Sequence, residues 1–249
     1  MWLQVPETIE KVLWEETLQP ATEDAVERME REWADRGIKE NVRDAIRDLP
    51  IISIGEPEVW TLPEVYPPDK MPHPLRAKLD EADFYLARFP CSFRPVRKES
   101  QVEWARFIVR LLPDDTAHQP IAFDLHPLMV TQEVKRNVKV SLSPSLKFLE
   151  VEGKIGDIKF GFEYPELQPI ISATGAGEAK PSWDYEEAKG ITVQGSKWMH
   201  LLVKAPKGME TIRGILDLAA DVRVRDSRLP VLAIRHKEQA RERLTVRLV

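Results

Sequence analysis

Few side chains in this sequence have both the type and the spacing to do chemistry. The glycines of "TGAG", Thr174 to Gly177, follow the apolar run "PIIS". A glycine loop holds phosphate when a strand precedes it and a helix follows, because the helix N-terminus supplies amide donors and the positive end of a dipole. Here Glu178, Ala179, Lys180 and Pro181 follow, then Trp183 and Tyr185, and no "GKS" or "GKT" appears. Gly175 and Gly177 are expected to turn the chain between two strands, where a positive φ is needed. No cofactor is expected.

The next pair is Asp124 and His126 in "DLH". On a strand, residues i and i+2 point the same way, so both can face one site. A metal centre needs three or more ligands. The other histidines, His73, His118, His200 and His236, are scattered. No metal site is expected, and a hydrolytic site would require Asp124, His126 and His200 to converge in space. Cys91 is the only cysteine, so no intrachain disulfide forms, and its apolar setting reads as a small core residue. No GxSxG nucleophile turn occurs. The paired carboxylates Glu186 with Glu187 and Asp157 with Glu163 fit solvated strand faces, where charge also discourages edge-to-edge pairing. No catalytic constellation is visible, and the chain reads as leaning away from an enzyme.

Binding chemistry is better represented. Trp183, Tyr185 and Trp198 flank the turn at Gly175 and Gly177, and aromatics at the open end of a β-sandwich stack on ligands or anchor interfaces. These five residues are the expected binding surface. A second candidate lies near the N-terminus. Thr22 is a good helix N-cap, with Glu23 and Asp24 suiting the dipole. Val26, Met29 and Trp33 then share one face, and Ile38, Val42 and Ile46 continue the pattern. That apolar stripe is the expected partner helix face. An earlier short helix is expected around Ile9, Val12 and Leu13.

The elements that must position these residues follow from periodicity. Residues 1–49 read as an N-terminal helical segment. Residues 50–80 hold seven prolines between Pro50 and Pro74. Proline has no backbone N–H and a fixed φ, so this stretch reads as a strap or linker rather than a central strand. From residue 81 to residue 249 the period becomes two. Ala105, Phe107, Val109 and Leu111 alternate with Arg106 and Arg110. Val138, Val140 and Leu142 alternate with Lys139 and Ser141. Ile158, Phe160, Phe162 and Tyr164 alternate with Asp157, Lys159, Gly161 and Glu163. Leu216, Leu218, Ala220 and Val222 alternate with Asp217, Asp221 and Arg223. Half-buried antiparallel strands have this pattern. The fold expected is mainly β: an antiparallel β-sandwich of about eight to ten strands with a small N-terminal helical segment, or alternatively a closed β-barrel. Leu244, Val246 and Leu248 announce a final edge strand after a charged hairpin.

Bulk properties narrow the function. The chain has 249 residues, 31% of them charged, with a net charge of −5. That balance argues against nucleic acid as a partner. Charge is uneven: residues 1–50 carry 13 Asp/Glu against 7 Lys/Arg, and residues 223–249 carry 8 Lys/Arg against 3 Asp/Glu. Opposite ends of this kind attract, within one chain or between copies. No apolar run approaches a membrane-spanning helix, and the N-terminus lacks a basic signal region. The expectation is a soluble, cytoplasmic, bacterial protein: a non-enzymatic binding or adaptor module whose partner is another protein or a second copy of itself. A membrane is the less favoured partner. Two alternatives stand beside it. One is a hydrolase with a dispersed Asp/His site. The other is a membrane-acting effector, for which polar strand faces such as Arg106, Arg110, Asp217 and Arg225 would suit a pore lumen.

Overall fold

The computed structural model describes residues 11–66, 71, 73–113, 119–130, 138–142, 148–152, 170–188, 192–209, 211–225, 227–232 and 244–249. The expected strand at 158–164, the pair Asp157 with Glu163, His118 and His236 lie outside these residues.

Two large antiparallel sheets carry the fold. The first is ordered β1 (Val12–Thr17), β3 (Ile51–Gly55), β5 (Ala82–Arg94), β13 (Gly195–Pro206) and β7 (Ile121–His126), with β4 (Glu58–Thr61) also paired to β5. The second is ordered β2 (Gln19–Pro20), β15 (Ser227–Leu232), β14 (Ile212–Val224), β6 (Ser100–Pro113), β12 (Ser182–Glu186), β11 (Ile170–Thr174) and β8 (Met129–Val130). A last strand, β16 (Thr245–Arg247), pairs with β14. Among the described residues β9 (Val138–Leu142) and β10 (Phe148–Glu152) pair only with each other. The protein is therefore mainly β, consistent with the expected sandwich, and neither sheet closes into a barrel among the described residues.

Two-residue alternation sets the layers. Along β14, Ile212, Gly214, Leu216, Leu218, Ala220, Val222 and Val224 are buried, while the intervening residues are half-buried or exposed. The inner faces meet through aromatic rings. Phe89 of β5 lies 6.1 Å from Phe107 of β6, Phe107 lies 6.4 Å from Trp183 of β12, and Phe93 lies 6.2 Å from Tyr185. Each such ring removes a large apolar area from water and contributes about 2–3 kcal/mol by burial.

The N-terminal segment corrects two expectations. Where a short helix was expected, Val12–Thr17 is strand β1, paired to β3. Six residues give too little length for a helical period to be told from a strand. β3 itself lies between β1 and β5, an interior strand in the proline-rich stretch. Pro50 and Pro57 flank it, so no ladder N–H is lost.

Beyond β1, the helix expected after Thr22 is α1 (Glu23–Asp35), with the Thr22 hydroxyl accepting from the Ala25 amide at 3.2 Å. A short helix, α2 (Val42–Ala45), runs into a 3-10 turn at Ile46–Asp48. The stripe expected to face a partner faces inward. Val26, Met29, Trp33 and Val42 are buried in the main core, and Ile38 and Ile46 are half-buried against it. Charged contacts fix this arrangement. The Trp33 indole N–H donates to Ser227 Oγ at 3.0 Å, Arg43 pairs with Glu30 at 2.9 Å and with Glu23, and Arg225 pairs with Glu40. The last of these joins the acidic N-terminal region to the basic C-terminal one within a single chain.

The remaining proline-rich residues make a second, smaller core on the outer face of the first sheet. Trp60, Leu62, Val65, Tyr66 and Met71 pack with Phe84, Leu86 and Leu202, under α3 (Leu62–Val65) and α4 (His73–Glu81). At the other end of the chain Leu244, Val246 and Leu248 are buried, and β16 closes its own sheet.

Candidate functional site

The glycine turn is a clasp between the sheets. Gly175 and Gly177 have φ of 95° and 84°. The Gly177 amide donates to Ala122 O at 2.7 Å, and the Ala122 amide donates to Glu178 O at 2.8 Å. The turn thus binds β7, the edge of the first sheet, to the end of β11 in the second. On the other side, the amides of Leu111 and Val109 donate to Ala179 O and Pro181 O at 2.8 and 3.0 Å. The Glu178 amide donates to Gly175 O at 3.0 Å. The amides of Gly177 and Glu178 are therefore engaged within the protein, and no helix follows. The geometry is that of a strand connection.

The five residues expected to form one binding surface are separated. Trp183 and Tyr185 are buried in the core, because β12 is flanked on both sides and turns these rings inward. Trp198 lies on the opposite sheet and is 41% exposed. It stacks on the Arg88 guanidinium at 5.3 Å, and the Trp60 ring lies 5.6 Å from the same group. Arg88 also ion-pairs with Glu58. Cys91 is buried, as a core residue would be. Glu187 pairs with Arg223 at 2.9 Å, a structural contact rather than an acid–base pair.

Asp124, His126 and His200 are brought close. β13 pairs with β7 so that His200 lies opposite His126 and Leu202 opposite Asp124. The two imidazole rings are 6.0 Å apart and only 2% and 3% exposed. Because Glu58 lies opposite Arg88 and Arg88 opposite His200, one rung crosses four strands: Glu58, Arg88, His200, His126. Burial holds His126 at about 4. Burial, then His126 and Arg88, hold His200 well below the ordinary histidine range. Both imidazoles are neutral at pH 7. Among the described residues no three His, Cys, Asp or Glu side chains gather as a metal site. Sequence reasoning named Asp124, His126 and His200 as residues that would have to converge but missed Arg88 and Glu58, which complete the rung from strands far apart in the chain.

Just past His126 the surface turns apolar. Leu128 is 54% and Met129 65% exposed. Trp198 precedes His200 by two residues and Leu128 follows His126 by two, so in this antiparallel pair both lie off the same end of the rung. There β8 pairs with β11, Met129 opposite Ser172 and Val130 opposite Ile171. The chain thus leaves the second sheet at Val130 and rejoins it alongside. The 39 residues between, 131–169, include β9 and β10, and β10 lies near β7.

No family model matches this sequence, and no curated protein matches it. Among solved structures the chain is similar to Clostridium perfringens delta-toxin, with a TM-score of 0.36 and 8% identity over 74% of this chain and 79% of that one. It is also similar to the Clostridium perfringens NetB toxin in its membrane-inserted form, with a TM-score of 0.33 and 12% identity over 74% of this chain and 84% of that one. Likeness this distant assigns no activity.

Proposed function

We propose that the protein is a membrane-acting effector whose residues 131–169 supply a two-stranded transmembrane hairpin. One observation carries this reading: the Val130–Ile171 rung lets the chain leave and re-enter an antiparallel pair at a single point. A membrane-spanning strand needs about 9–11 residues, and each arm of a 39-residue excursion supplies that many. The first arm alternates apolar and polar residues over Val138 to Leu142, which pairs with Phe148 to Glu152, and the sequence alternates again over Asp157 to Tyr164. In a barrel the apolar set meets lipid and the polar set, including Lys139, Lys159 and Glu163, lines the lumen. No helix among the described residues is long and apolar enough to cross a membrane, so strands would have to do so. A strand edge in lipid must be closed, and the smallest membrane barrels have about eight strands, so one hairpin per chain requires at least about four copies. The partner on this reading is a second copy of the chain.

The test is dye release from vesicles of phosphatidylcholine with cholesterol and of phosphatidylcholine with phosphatidylserine. The full chain should release dye from one of these. A variant with 131–169 replaced by Asn-Gly should keep its circular dichroism and melting temperature yet release none. Equal release by the shortened chain, or no release by the full chain from either composition, would defeat the proposal.

A second reading, an adaptor that binds another protein, is favoured by the exposed apolar group of Leu128, Met129 and Trp198. It predicts partner capture that survives loss of 131–169 and is abolished by Trp198→Ala with Met129→Ser.

A further inference from the structure

We infer that the His126–His200 rung is an acid-sensitive latch that holds the end of edge strand β7, which leads into β8, against the sandwich. Its output rests on the hairpin reading above, since β8 is where residues 131–169 begin.

Among the described residues β7 is an outermost strand of its sheet, held on one side by β13 and on the other by the glycine clasp at Ala122. Its ladder to β13 is already interrupted between Leu202 and Val203, and the rung nearest β8 is His126 opposite His200. Edge strands with few rungs open locally at less cost than central ones. The last rung therefore decides whether the end of β7, from which the chain runs into β8 and its pairing with β11, stays on the first sheet's edge.

Charge around the rung makes it sensitive to protons. Arg88 of β5 faces His200, and its charge is matched by Glu58 of β4. Asp124 of β7 is the nearby carboxylate, two residues from His126. Further along the same face lie Lys204 of β13 and Lys78 of α4, whose ammonium sits 5.3 Å over the Phe123 ring. Two imidazoliums 6.0 Å apart would join this cationic face, where Asp124 is the carboxylate on the same strand as His126 among the described residues. A buried charge in such a setting is expelled toward water rather than held.

The sign follows from linkage. Both histidines have affinities for protons lowered in the closed form, His126 to about 4. An opened β7 regains the ordinary value near 6.5. The opened form therefore binds more protons between pH 6.5 and 4, and closure is complete above 6.5 and lost as pH falls through that window. At pH 5 His126 alone favours opening by about 20-fold relative to pH 7.

Hydrogen exchange on the full chain, free in solution at pH 7.5 and 5.0 and corrected for intrinsic rates, tests the latch without any membrane. Residues 121–130 should exchange at least tenfold faster at pH 5.0 while β6 and β14 hold their protection. The His126→Gln, His200→Gln variant should lose that acid response. If the wild-type chain shows no acid response in 121–130, or β6 and β14 lose protection together with it, there is no latch. A folded variant that opens like the wild type also overturns it. Vesicle dye release at the two pH values separates the readings. Acid-opened β7 without release at either pH sinks the hairpin and leaves the latch. Release with unchanged exchange sinks the latch and leaves the hairpin.

Discussion

Replacing Gly175 or Gly177 by alanine separates a clasp from a ligand cradle. Both glycines have positive φ, so either alanine carries a backbone strain of about 1 kcal/mol. There the equivalence ends. A Cβ at Gly177 meets nothing within 4 Å. A Cβ at Gly175 lies 2.8 Å from Pro181 Cα and 2.9 Å from Lys180 O, both backbone atoms. Relieving that contact moves the 179–181 backbone, whose carbonyls accept from Leu111 and Val109. Weakening those two hydrogen bonds costs about 1 kcal/mol each. Gly177→Ala should therefore cost about 1 kcal/mol and Gly175→Ala about 3. At about 3 °C per kcal/mol for a chain of this size, the melting temperature should fall by about 3 °C and about 9 °C. Thermal unfolding followed by circular dichroism reads the difference, and inorganic phosphate should leave all three melting curves in place. A loss at Gly177 equal to that at Gly175, or a phosphate-dependent rise in the parent that either alanine abolishes, would refute the clasp.

Three further outcomes are expected. Burial lowers Lys197 to about 8, so its charge opposes folding below pH 8 and the penalty fades as pH rises toward 10.5. Lys197→Met should remove up to about 3 kcal/mol of that penalty, less about 1–2 for the lost 2.7 Å bond to Gln194 O, and raise the melting temperature at pH 7; a lower melting temperature would contradict this. Ser227 Oγ accepts from Trp33 and donates to Glu32 at 2.7 Å, so Ser227→Ala should cost about 1–2 kcal/mol in urea titration by orphaning the buried indole N–H. Trp198→Ala should leave the urea midpoint nearly unchanged yet weaken vesicle association about tenfold, or about 1.4 kcal/mol, measured by co-sedimentation.

Much of the sandwich was legible because burial on one face imposes alternation. The strand through Phe107 and the one through Leu218 are long enough for the pattern to be unambiguous, and the Thr22 cap with Val26, Met29 and Trp33 marks a helix. What the stripe covers was not legible, since a buried helix face reads alike whether its cover is a partner or its own chain. Val12–Thr17 failed for want of length, and β3 because prolines beside a strand count in composition as if they were in it. The aromatic surface failed for a different reason. Trp183 and Trp198 are close in sequence and polarity, but one belongs to a strand flanked on both sides and the other to an outer face. The His–His rung depends on pairing between strands over 70 residues apart, a relation no local pattern encodes.

The edge of β14 away from β6 is shared by two strands from either side of residues 233–243: β15 covers Ala219 to Val224, and β16 covers Arg213 to Ile215. Leu244, Val246 and Leu248 seat the second of these in the hydrophobic interior. A chain nicked between 232 and 244 would still present a vacant slot with a matching peptide at hand. Strand addition is the route by which such a C-terminal fragment would return to that slot from solution.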